Sequence, residues 1–128
     1  VTDDRIKAIV PLAPCCVEFL GTEGIAGITA PIMVMAGTAD QSAPPELNGI
    51  PVFENAGSIL RTLVLIQDAP HEVYLDIYTG PITRAHDLIK HFSTAFFLAH
   101  LKSDTSASMA LDATSIDIPE IEYRIANP

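Results

Sequence analysis

Two short stretches hold side chains whose types and spacing could carry acid–base chemistry: Pro31–Asp40, PIMVMAGTAD, and Asp68–His71, DAPH. The first is an apolar run that stops at a glycine, turns and presents the carboxylate of Asp40. The second follows another apolar run, TLVLIQ, and presents the imidazole of His71. A carboxylate can fix the tautomer of an imidazole and stabilise its cation, and the imidazole can then take a proton from a nucleophile. Each residue also has a purely structural reading. An Asp after a strand commonly closes a turn by accepting nearby amides, and a His there can be a surface side chain or a satisfied core one. The pairing favours chemistry, because two separate strand ends present an acid and then a base.

For the two side chains to meet, their elements must lie side by side with parallel direction. Pro31–Gly37 reads as a strand, and its consecutive Ile32, Met33, Val34 and Met35 suit one covered on both faces. Arg61–Gln67 reads as a second such strand. Ile6–Ala13, IKAIVPLA, reads as a strand preceding both, in which Pro11 costs a ladder hydrogen bond. Residues 15–30, with Gly21, Gly24 and Gly27, read as a loop holding a short helix at most. Gln41–Gly49 is a loop, and Val52–Leu60 has helical spacing of its apolar residues. A loop over 68–81 ends in Thr79-Gly80-Pro81, a helix start. Ile82–Lys102 follows as the clearest helix, with Ala85, Leu88, Ile89, Phe92, Phe96 and Ala99 forming one stripe. Serines around Asp104 then suggest a solvated break, and the alternation of Ile116, Ile118, Ile121, Tyr123 and Ile125 an extended surface segment.

This order predicts an α/β fold with about three parallel strands, covering helices and an incomplete sheet that needs a further strand on an apolar edge. Residues 1–102 would form the domain portion and residues 103–128 a C-terminal tail. The 128 residues suffice for one domain or part of one, and 48% hydrophobic against 18% charged residues is globular composition. A net charge of −9 argues against nucleic acid and anionic membrane as partners. No run approaches the length of a membrane span, and no signal-peptide pattern opens the chain. Because it begins at Val1, the chain reads as a fragment, a processed chain or a trimmed domain, which leaves its compartment open.

Other chemistry-bearing residues fare less well. Ser42 and Ser58 lack the glycine-flanked strand–turn–helix setting of a nucleophile. Cys15 and Cys16 are adjacent, so a disulfide between them would close a strained ring. His86, His91 and His100 share one helix without the i, i+4 spacing that puts two metal ligands on one face. GTEGIAG lacks the context of a phosphate loop, and no cofactor or metal is predicted.

With these residues in place, the stretch GIAGITAPIMVMAGTAD … APPELNGIPVFENAGSILRTLVLIQDAPH resembles the C-terminal half of a dienelactone hydrolase-like α/β-hydrolase. The likeness starts at Ile6 and continues through RAHDLIKHFSTAFFLAHLKSD, which is similar to the family's last helix. It rests on a strand ending in G-x-x-D, a later strand ending in A-x-H, and their spacing. The resemblance implies a partial α/β-hydrolase fold acting on a small-molecule ester or acyl substrate through a Ser–His–Asp triad. Asp40 would be the acid and His71 the base. The departure is that no G-x-S-x-G occurs, so the nucleophile elbow and its oxyanion amides would belong to a missing segment N-terminal to Ile6. The chain alone is therefore expected to be inactive. Some members of the family use Cys, but PLAPCCVEF lacks the elbow glycines, and Cys15 reads better as a pocket-lining residue. The alternatives are a non-catalytic binding or assembly module that retains the half-fold, and an unrelated small doubly wound domain.

Overall fold

Buried backbone must satisfy its hydrogen bonds internally, and the long apolar runs of this chain do so by pairing with each other. The computed structural model describes residues 3–15, 17–75 and 83–126. Its centre is a three-stranded sheet in the order β1 (Ile32–Gly37), β2 (Arg61–Ile66), β3 (Ile121–Ile125). β1 and β2 are parallel, from Ile32 opposite Arg61 to Gly37 opposite Ile66. β3 is antiparallel to β2, with Ile121 opposite Ile66 and Ile125 opposite Thr62.

The mixed α/β content agrees with the sequence reading, but the three strands are neither all parallel nor the three expected. The run Ile6–Ala13 is not a continuous strand. It lies beside β1 through isolated parallel bridges at Ile9–Ile32 and Leu12–Met35. Ile9 donates to Pro31 O and accepts from Met33 N, while Pro11 accepts from Met35 N and Ala13 donates to Met35 O. Pro11 has no N–H to donate in return, so the ladder is interrupted at its middle. The third strand comes instead from the segment after residue 103. Its alternating Ile121, Tyr123 and Ile125 do make it extended, but it is hydrogen-bonded to β2 as an edge strand. This places the sheet between two apolar layers.

Every residue of β1 is buried, because successive side chains point to opposite faces and both faces are covered. On one face, Val34, Leu63 and Leu65 pack with Ile25 of α1 (Gly21–Ala26) and with Val52 and Phe53 of α2 (Gly49–Asn55). On the other, Met33, Met35, Val64 and Ile66 pack with Leu88, Phe92 and Phe96 of α3 (Thr83–Lys102). The predicted stripe faces the sheet: Ala85, Leu88, Phe92 and Phe96 are buried, and Phe92 stacks on Tyr123 with ring centroids 5.6 Å apart. Each such aromatic contributes roughly 1.5–3 kcal/mol by leaving water. The expected helix start at Thr79-Gly80-Pro81 lies outside the described residues.

Two helices differ from their expected limits. α2 begins three residues before the predicted Val52 and ends at Asn55, so Ile59 and Leu60 are exposed rather than on its apolar face. Pro51 sits in its first turn, where the missing N–H costs nothing. The helix stops where Ala56 turns to an extended ψ of 137°, and the chain then passes close to α1, since a Cβ on Gly57 would lie 2.1 Å from Ala26 O. After α3, the serine-rich break is in fact α4 (Thr105–Ala110), nucleated by Asp104, whose side chain accepts from Ala107 N at 2.9 Å. None of the described helices is long and apolar enough to cross a membrane.

Candidate active site

Because β1 and β2 are parallel and in register, Gly37 and Ile66 end side by side, and the two loops leave at the same edge of the sheet. Those loops are bonded to each other. Thr38 N donates to Ile66 O at 3.0 Å, and Ala39 N donates to Ala69 O at 3.2 Å. Asp68 N donates in turn to Thr38 Oγ1 at 2.9 Å. Gly37 permits this approach, since a Cβ there would stand 2.0 Å from Ala69 O. Asp68 turns the second loop with a φ of +56°, a left-handed conformation that Asp tolerates better than most residues. The chain then buries Ala69 and enters a single 3₁₀ turn, His71–Tyr74, that opens on the imidazole.

At the meeting point, His71 Nδ1 lies 2.8 Å from Asp40 Oδ2. The Asp40 side chain is fully buried, whereas that of His71 is 36% exposed. The other carboxylate oxygen, Oδ1, accepts from Ser42 N at 2.9 Å and from Ala43 N at 2.7 Å. A buried carboxylate needs such partners to offset its lost hydration, and these three contacts supply them. An ionised Asp40 accepts only, so the bond places the proton of the neutral ring on Nδ1 and leaves Nε2 as the acceptor. The arrangement thus offers a half-exposed base whose tautomer is fixed by a buried acid.

Sequence reasoning singled out Asp40 and His71, and the fold brings them together. It did not identify their supports. Asn48 is buried; its Nδ2 donates to Pro44 O at 3.1 Å and its Oδ1 accepts from Val17 N at 3.4 Å, tying the loop after Asp40 to the Val17–Phe19 turn. Thr38 and Gly37 act through the loop contacts above, and the Gly-Thr pair directly after an apolar strand was their one legible signal. Tyr74 ends the turn that His71 begins. Its hydroxyl is buried without a partner among the described residues, and burial, then the Asp40 charge, hold the phenol well above its ordinary value.

The other candidates stand apart from this pair in role. Ser42 gives Asp40 its backbone amide. Ser58 is buried, and its Oγ bonds the backbone of Leu60 on both sides, donating to O and accepting from N at 3.2 Å each. Cys15 is an exposed free thiol. His91 meets the ring of Phe92 edge-on, and His100 lies 4.4 Å from Phe96 by ring centroids. Among the described residues, no three His, Cys, Asp or Glu side chains converge to hold a metal ion. No protein-family model matches this sequence and no curated protein matches it, so the Asp40–His71 geometry carries the functional reading.

Proposed function

We propose that the chain is the C-terminal portion of a dienelactone hydrolase-like α/β-hydrolase, contributing Asp40 and His71 to a nucleophile carried outside these 128 residues. The substrate class is a carboxylic ester or related acyl compound. One observation carries the reading: the 2.8 Å contact between the half-exposed His71 Nδ1 and the buried Asp40 Oδ2. It leaves Nε2 free to take the proton of a hydroxyl or thiol as that group attacks the acyl carbon. The imidazolium so formed is stabilised by Asp40 and returns the proton to the departing alkoxide. Water then repeats the sequence on the acyl-enzyme, releasing the carboxylic acid and restoring the nucleophile.

The test is p-nitrophenyl ester hydrolysis by the complete protein and its His71→Ala variant. Loss of the base should lower turnover by roughly two to four orders of magnitude. Unchanged activity in His71→Ala would sink the assignment. A second reading, a binding or assembly module that retains the half-fold, is favoured by the lack of any G-x-S-x-G in the sequence. It predicts no ester turnover in the wild type either.

A further inference from the structure

A second cavity lies at the far end of β2, between the sheet and the C-terminal half of α3. The strand rises roughly 3.3 Å per residue, which puts this cavity on the order of 16 Å from the Asp40–His71 end. Its volume is about 370 Å³, within the range of small-molecule sites. Side-chain alternation decides what faces it. Leu60 and Thr62 keep step with Val64 and Ile66, which pack against α3, and Ile125 keeps step with Tyr123 on β3. Phe96 and His100 close the α3 side. Arg61 turns the other way, in step with Leu63 and Leu65, and its guanidinium donates to Ala56 O and Ser58 O. Although the chain carries 16 acidic residues, no Asp or Glu lines the cavity. Burial lowers the pKa of His100 below its ordinary 6.5, so its imidazole is neutral at pH 7. No charge is left to pair with an ion, and an ionic ligand would lose its hydration here without return.

The polar side chains of the wall are already engaged, His100 excepted. The Tyr123 hydroxyl donates to Leu111 O at 2.8 Å and Ser108 Oγ to Asp104 O at 2.9 Å, while Thr62 is a hydrogen-bonding neighbour of the Tyr123 phenol. Among the described histidines, only His71 has a ring nitrogen in a hydrogen bond. The His100 ring, 4.4 Å from that of Phe96 by centroids, thus keeps one donor and one acceptor without a protein partner. A hydroxyl is itself donor and acceptor, so it can satisfy either nitrogen whichever tautomer is present. At the mouth, Leu60 and Ile125 are exposed, and an apolar body lying across them would remove that surface from water.

We infer that this cavity is a binding site for a small neutral aromatic alcohol, a phenol whose ring lies against Phe96 and Tyr123 and whose hydroxyl pairs with His100. The inference is independent of the hydrolase reading, since it uses neither Asp40 nor His71.

The probe is 4-ethylphenol, titrated into the complete protein at pH 7 by calorimetry and followed by NMR. Ethylbenzene, which lacks the hydroxyl, and 4-ethylbenzoate, which carries a charge, are its controls. Saturable binding of the phenol is expected, with shifts at Thr62, Phe96, His100 and Tyr123. Ethylbenzene should bind roughly fivefold more weakly, as fits the loss of one neutral hydrogen bond, and the benzoate more weakly still. His100→Phe keeps an aromatic wall and should remove the difference between phenol and ethylbenzene. Ala99→Phe fills the cavity from the half-buried helix face and should abolish binding of both, with circular dichroism checking that each variant is folded. His71→Ala should bind the phenol as the wild type does. Equal affinity for phenol and ethylbenzene in the wild type, tighter binding of the benzoate, or undiminished binding by Ala99→Phe would overturn the inference. So would the absence of saturable binding.

Discussion

Asp40 performs two duties with two oxygens. Its Oδ1 closes the turn over Ser42 and Ala43, while Oδ2 holds His71. The turn-closing reading of this residue is realised, and the same carboxylate makes the contact to the imidazole on which the proposed acid–base role rests. They can be separated by substitution. Asp40→Asn keeps an oxygen for the two amides, so the fold should persist while ester turnover falls by about three to four orders of magnitude, the cost of a lost tautomer control. Asp40→Leu removes both acceptors and leaves the buried Ala43 amide unpaired. We expect it to lose about 1–3 kcal/mol in urea denaturation. A leucine variant as stable as the wild type would show that Oδ1 does not brace the turn.

At the scale of elements, the site depends on how closely two loops approach. Gly37 and Ala69 meet backbone to backbone, and Thr38 bridges to Asp68. Gly37→Ala would force a methyl against the Ala69 carbonyl, and a backbone atom cannot swing aside as a flexible side chain does. The predicted cost is on the order of 1–3 kcal/mol, together with a lengthened Asp40–His71 contact. Thermal unfolding would measure the first and a crystal structure of the variant the second; a variant with wild-type stability and an intact contact would contradict this account. The strands β1 and β2 were legible because uninterrupted apolar runs suit elements buried on both faces. α3 was legible because its stripe runs from Ala85 to Ala99 along a helix of 20 residues. The limits of α2 differ because Val52, Phe53 and Ala56 share helical spacing with Ile59 and Leu60, while the chain leaves the helix at the extended Ala56 before reaching them. α4 was missed because a run of Ser and Thr conceals a helix when its N-cap, Asp104, is read as part of a loop.

At the scale of the whole molecule, the segment after residue 103 is part of the core. Ile118, Ile121 and Tyr123 pack against the α3 face of the sheet, and the Tyr123 hydroxyl donates to Leu111 O at 2.8 Å. Burial pushes the Tyr123 phenol up to about 12 from its ordinary 10.0. The folded state therefore holds its phenolic proton where the unfolded chain releases it. That stability is fully present below pH 10 and is lost as pH rises from 10.0 toward about 12. Thermal melts across this window should decline steadily, and Tyr123→Phe should flatten the decline while lowering stability at neutral pH by about 1 kcal/mol through the lost hydrogen bond. A slope unaltered in Tyr123→Phe would mean that the tyrosine does not govern the alkaline limit.

Local composition sufficed for β1, β2 and α3, and for the order in which an acid and a base follow two strands, because each depends on hydrophobic period and on turn residues close in sequence. Strand direction and partner choice were decided elsewhere. The segment 121–125 alternates as any half-exposed strand does, and only its pairing with the free edge of β2, antiparallel in direction, makes it part of the sheet. Ile6–Ala13 has strand composition, yet one missing N–H at Pro11 reduces it to isolated bridges. Asp40 and His71 stand 31 residues apart, and nothing in either loop alone sets their separation. Tertiary structure sets it, through a parallel register that ends both strands together and a glycine small enough to let their loops touch.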